Sequence, residues 1–250
     1  MPARRAVDDV RRFWDDRGRE NPAYYVDTSL SYDDPDMEQF FETGRDIVDQ
    51  ALVSAPVQPT GHGHAVEIGS GLGRICLALA DHFDEVTGID IAPSMVERAT
   101  DLVDNPKVHF ELGDGTTLSN LADGSVDFLL TFTVFQHQPT TDHLAGYLRE
   151  AGRVLRPGGV IAAQWNNIPA DEYAKRVAKW RRRRALSKLP LVPKRWALDA
   201  HVARQAEAPF LGTTATVEFM RSACEAAGLR PAGTKGEGTL FAWIWAQAEG

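Results

Sequence analysis

Between residues 65 and 164 the chain alternates short apolar, β-rich runs with stretches whose apolar positions recur every three or four residues. The runs at 65–68, 85–89, 108–112, 126–131 and 160–164 predict strands. The stretches at 73–83, 93–103 and 141–155 predict the helices between them. In the last of these, Leu144, Leu148, Ala151 and Leu155 fall on one face. Arg156-Pro157-Gly158-Gly159 then reads as a helix stop placed directly before a strand. Strands and helices alternating at this length argue for an α/β fold, a doubly wound and mainly parallel sheet with helices on both faces.

The flanks read differently. Residues 1–64 look mostly helical, with Phe40, Phe41, Ile47, Val48 and Leu52 as apolar positions and a Pro/Gly-rich linker at 54–64. At the other end, 217–227 predicts a helix stopped by Gly228, and 229–235 and 239–247 predict two strands joined across Gly236 and Gly238. The second of these is expected at the sheet edge, where Phe241, Trp243 and Trp245 alternate on one face that serves either the core or a homodimer contact. The expected organisation is one domain over 1–250. Residues 1–64 form a helical cover, 65–165 the core, 166–212 a cap insertion, and 213–250 the last helix and hairpin.

Composition narrows the class. With 250 residues, 43% hydrophobic and 25% charged, the chain has the make-up of a folded globular protein. Its best apolar run, 240–246, is strand-sized, which predicts no membrane span. Arg4 and Arg5 are not followed by an apolar segment of the secretory kind. Cys76 and Cys224 make neither a disulfide framework nor a metal pattern. A soluble, reduced, cytoplasmic protein is expected. The net charge of −8 is uneven: 171–204 holds eleven Lys or Arg against three acids, so this surplus of eight leaves −16 on the rest.

The most informative string is Glu67-Ile68-Gly69-Ser70-Gly71-Leu72-Gly73-Arg74, directly after a strand and before a helix. Glycines there let the backbone turn sharply and let a ligand approach. The dinucleotide fingerprint wants its third small residue where Arg74 stands, a phosphate-binding Walker loop lacks its Gly-Lys-Ser/Thr, and Ile68 breaks a nucleophile elbow around Ser70. Asp90 ends the next strand, placed to accept ribose hydroxyls or to cap the helix ahead of Pro93. Asp114, in Gly113-Asp114-Gly115, follows the third strand and is otherwise an ordinary Asp-Gly turn. Three successive strand ends carrying Gly or Asp describe an adenosine site at the carboxyl edge of the sheet.

These motifs resemble the core of the class I S-adenosylmethionine-dependent methyltransferases, over about two-fifths of the chain. The resemblance extends to Val126-Asp127-Phe128 through Phe132 and to 148–159, and among the family's members it is to bacterial small-molecule and saccharide O-methyltransferases. It implies a seven-stranded sheet with an antiparallel C-terminal edge hairpin. The implied cofactor is S-adenosylmethionine, with S-adenosylhomocysteine as product. Its contacts are implied at Glu67, Gly69, Ser70, Gly71 and Gly73 in the loop, and at Asp90, Ile91 and Met95 around the second strand end. Asp114 with Gly115 and Thr131 with Phe132 complete the implied set, Asp114 reaching the adenine amino group.

The acceptor side is less constrained. His137, in Val134-Phe135-Gln136-His137-Gln138-Pro139, is the candidate base, the alternative being a histidine that only hydrogen-bonds the loop or cofactor. A metal site from His137, Asp142 and His143 is the weaker reading, since no ligand spacing supports it. Tyr24, Tyr25, Trp180 and Trp196 are candidate acceptor contacts, with core packing the competing reading for the tyrosines and a solvated helix face for the basic segment. Arg45 is either a surface residue or a partner for the cofactor carboxylate. The expected reaction is O-methylation of a small hydroxylated metabolite, a saccharide or secondary metabolite favoured. The alternatives are RNA modification docking through Arg181-Arg182-Arg183-Arg184, which the acidic remainder disfavours, N-methylation of a small amine, and a non-catalytic cofactor- or partner-binding protein.

Overall fold

In the computed structural model, which describes residues 2–187 and 212–250, seven strands form one sheet in the order β3-β2-β1-β4-β5-β7-β6. They are β1 (His64–Ile68), β2 (Glu85–Asp90), β3 (Val108–Leu112), β4 (Val126–Thr131), β5 (Leu155–Trp165), β6 (Leu229–Lys235) and β7 (Ala242–Ala248). β1 to β5 run parallel. β7 is antiparallel to both β5 and β6. The last strand therefore lies inside the sheet, and β6 is the edge. Trp243 and Trp245 are accordingly buried in the core rather than presented to a second copy.

Every residue of β4 is buried, as expected for a central parallel strand covered on both faces. On one face Val66, Leu129, Ile161 and Ile244 meet α6 (Thr141–Val154) and the helix at Val217–Ala226, labelled α8 here. Leu144, Tyr147, Leu148, Ala151 and Val154 give α6 its buried stripe, and full burial of a leucine contributes about 1.5–3 kcal/mol. The other face carries Phe128, Leu130, Trp243 and Trp245 against α3 (Met37–Val48), its continuation Asp49–Val53, and α4 (Arg74–Leu79). Trp245 Nε1 donates to Ala51 O at 2.8 Å, tying this N-terminal segment to the final strand.

The strand predictions hold to within a few residues except at β5. There the Pro-Gly-Gly segment is drawn into the strand as an irregularity: Val126 pairs with Leu155 but Phe128 with Val160, and Gly158 takes φ 80°. α1 (Pro2–Glu20) and α2 (Pro22–Val26) lie over the sheet's carboxyl edge. Asp15 fastens α1 to the start of α5 (Pro93–Leu102), accepting the Ser94 N–H at 2.9 Å while its carbonyl accepts the Ser94 hydroxyl at 2.8 Å. Arg11 donates to the carbonyls of Gly113 and Asp114, both at 3.2 Å. No helix among the described residues is long and apolar enough to cross a membrane.

Candidate functional site

A cavity of about 410 Å³ opens where β1, β2 and β4 end, beneath α1 and α2. Gly69 and Gly71 form part of its floor. Gly71 holds φ 52°, and a Cβ there would stand 2.9 Å from Val26 Cγ2, so a side chain would both strain the turn and jam it against the cover. Gly73 has a different job. It caps α4 at φ 82°, packs against Val103 and Phe110, and does not line the cavity.

Asp90 ends β2 at the cavity wall, 8% exposed. Its Oδ2 accepts the Gly71 N–H and its Oδ1 the Ala92 N–H, each at 2.9 Å. Burial raises its pKa above the ordinary carboxylate value, while the backbone donors of Ala92, Gly71 and Ile91 oppose the rise. Ile91 and Met95 line the wall beside it, with Gly113, Gly115 and Leu118 across from the third strand.

Several expected contacts fall elsewhere. Asp114 does not line the cavity; its carboxylate accepts from the backbone and hydroxyl groups of Thr116 and Thr117. Burial would raise its pKa, but those hydrogen bonds hold it below the usual carboxylate value. These are the contacts of an Asp-Gly turn. Glu67 lies behind the loop, 2% exposed, where its Oε2 accepts the Cys76 thiol hydrogen at 2.9 Å. Burial pushes its pKa up to about 8. Ser70 and Thr131 are buried with hydroxyls that have no hydrogen-bond partner among the described residues, and neither lines the cavity.

The opposite wall holds a cation that the sequence did not single out as a site residue. Arg74, 4% exposed, donates from Nη1 to Asp27 Oδ2 and Thr43 Oγ1, both at 2.6 Å, and its guanidinium lies 5.1 Å from the Phe40 ring centroid. Its Nε is buried without a partner among the described residues. Burial would raise the Asp27 pKa, but Ser29 and Arg74 hold it below the ordinary value. Arg45, the alternative cation, is exposed and does not line the cavity.

After β4 the chain turns sharply. Thr133 takes φ 57°, a rare conformation for a β-branched residue, and its N–H donates to Gln164 Oε1 at 2.7 Å. A single 3₁₀ turn, Phe135–His137, then brings His137 to the cavity, 7% exposed. Its ring centroid is 5.1 Å from that of Trp14, edge to face, and its Nε2 lies 3.2 Å from the Gln136 amide nitrogen. Phe132 and Phe241 also line the cavity. His143 pairs with Thr140, and neither it nor Asp142 reaches the wall. Among the described residues no group of three His, Cys, Asp or Glu is placed to hold a metal ion.

Of the N-terminal aromatics, Trp14 and Tyr25 line the cavity and Tyr24 does not, and both tyrosines are buried. Trp180, on α7 (Ala170–Ser187), is half-buried and away from the wall, while Arg181, Arg182 and Arg183 are exposed. Trp196, with Lys188, Lys194, Arg195 and Arg204, lies outside the described residues.

Residues 66–163 match the protein family described as Methyltransferase domain. The chain is 33% identical over 122 residues to the 2-methyl-6-phytyl-1,4-hydroquinone methyltransferase of Synechocystis sp., covering 46% of this chain and 37% of that protein. It is 38% identical over 103 residues to the 27-O-demethylrifamycin SV methyltransferase of Amycolatopsis mediterranei, covering 39% and 36%. The chain thus spans well under half of either relative's length. A chain of the solved complex between the Haloferax volcanii Trm112 methyltransferase activator and a methyltransferase superposes with a TM-score of 0.62. That match is at 19% identity, over 92% of this chain and 98% of that one, and speaks for the fold.

Proposed function

We propose, from the match of residues 66–163 to the methyltransferase domain family and from the class I, Rossmann-like order of the sheet, that the chain methylates a hydroxyl group of a small molecule using S-adenosylmethionine. The observation that carries the proposal is Asp90, a buried carboxylate at the end of β2 that lines the cavity and at the same time holds the glycine loop through Gly71. An acidic group in that position suits the two hydroxyls of a ribose. Ile91, Met95 and Leu118 offer apolar flanks for an adenine, and Arg74 Nε is a buried donor suited to the cofactor's carboxylate.

When bound, the cofactor supplies an electrophilic methyl group on a sulfonium sulfur. The chain's own work is positioning and proton removal. His137 is the base: its imidazole takes the proton of the acceptor hydroxyl, and the enclosing rings of Trp14 and Phe132 limit water at the reacting oxygen. The hydroxyl target is supported by His137 and by the relative whose name specifies an O-methyl position.

Calorimetric titration with S-adenosylmethionine and S-adenosylhomocysteine, with NAD as control, tests the reading. Micromolar binding of the sulfur compounds without NAD binding is expected. Preference for NAD, or no binding of either sulfur compound, overturns it.

A further inference from the structure

The wall that Phe241 builds is unusual for a surface aromatic. Val53, Leu102, Leu112 and Phe241 are the exposed large hydrophobics among the described residues, and Phe241, at 52% exposure, is the one that lines the cavity. Its loop is pinned. Asn167 accepts the Gly238 N–H at 2.8 Å and donates its own N–H to Thr239 O at 2.8 Å. Thr239 Oγ1 accepts the Phe241 N–H at 3.1 Å. The buried Gln164 side chain joins two segments of the wall, donating to Leu240 O while accepting from Thr133 N. Behind Phe241 the rings form a ladder: Phe132 at 6.3 Å between centroids, then Trp243 at 5.6 Å from Phe132 and Trp245 at 5.8 Å from Trp243, each pair within 20° of parallel.

A pinned, half-exposed ring backed by three others is a flat platform for another ring. The loop from Thr133 to Gln138 lends four polar residues to the same lining, Thr133, Gln136, His137 and Gln138. Within it, Gln136 Oε1 is buried without a partner among the described residues, next in sequence to His137. A base on this loop, facing a wall that also holds Phe132 and Phe241, suits a ligand that presents a hydroxyl from an otherwise apolar body.

Resting on the methyl-transfer reading above, we propose that the acceptor is a flat, largely apolar ring carrying a hydroxyl group, a phenol or hydroquinone type, stacked on Phe241 with its hydroxyl proton directed to His137.

The test uses the full chain saturated with S-adenosylhomocysteine, titrated with 2-naphthol and with methyl β-D-glucoside, for the wild type and for Phe241→Ala and Phe241→Trp. The alanine replaces a half-exposed side chain, so folding is checked by unchanged affinity for S-adenosylhomocysteine. The expected result is naphthol binding that weakens at least tenfold in Phe241→Ala, recovers in Phe241→Trp, and has no glucoside counterpart. Glucoside binding without naphthol binding, naphthol binding indifferent to Phe241→Ala, or neither probe binding overturns the acceptor assignment and leaves the methyl-transfer reading standing. Failure of S-adenosylhomocysteine itself to bind overturns both.

Discussion

The Asp90 carboxylate reaches back across the strand ends to hold the Gly71 N–H at 2.9 Å, so one side chain both lines the cavity and sets the shape of the loop beside it. Replacing Asp90 with Ala removes the acceptor for two backbone donors, Gly71 and Ala92. Leaving a buried donor unsatisfied costs about 1–3 kcal/mol. Calorimetry on Asp90→Ala should therefore show affinity for S-adenosylhomocysteine reduced by about tenfold to a hundredfold, with a lower urea midpoint. Full affinity in the variant would remove Asp90 from the site.

His137 should behave differently. Changing it to Ala is expected to leave S-adenosylhomocysteine affinity nearly unchanged while turnover falls about a hundredfold or more. Titration and initial rates on the same preparation separate the two, and a parallel loss of both would make His137 a cofactor contact rather than a base.

Arg74 offers a test by ligand dissection. Arg74→Gln should weaken S-adenosylhomocysteine, which has an amino-acid end, while leaving 5′-methylthioadenosine, which lacks one, within about twofold. The variant also frees the part-buried Asp27 carboxylate, so its thermal midpoint should drop. Equal losses for the two ligands would show that Arg74 acts through the fold alone.

Glu67 predicts a pH effect on stability. Its pKa rises from 4.5 to about 8 on folding, so the native state holds a proton that the unfolded chain releases. The favourable contribution is complete below 4.5 and is lost as pH rises towards 8. Urea midpoints of the wild type should fall across that window relative to those of Glu67→Gln, which cannot titrate. Parallel profiles would place the proton elsewhere.

Much of this was readable from the chain. Strand periodicity located β1, β2 and β4 because their residues are buried in consecutive runs, and Asp90 was legible because it stands at a strand end after a glycine loop. The extent of β5 was not, since Pro157-Gly158-Gly159 are local stop signals that the sheet absorbs as an irregularity. Nor was the place of β7, because which neighbour a hairpin strand chooses is set by packing, here of Trp243 and Trp245. The partners of Asp114 were not legible either, because two threonines just beyond it offer its carboxylate a local hydrogen-bonding solution. Arg74 stood out only as a departure from a dinucleotide fingerprint; its partner Asp27 is 47 residues away, a separation that leaves no local pattern.

The glycine loop and Asp90 belong to the central stretch of chain, whereas Trp14 comes from its first helix and Phe241 from the turn before its last strand. On the proposed reading, the acceptor's surroundings are shared between the central stretch, which gives Phe132 and His137, and the flanks, which give Trp14 and Phe241. Substitutions at those two flanking positions would retune which molecule is accepted without touching the glycine loop or Asp90, so that new substrates could be acquired without relearning the chemistry.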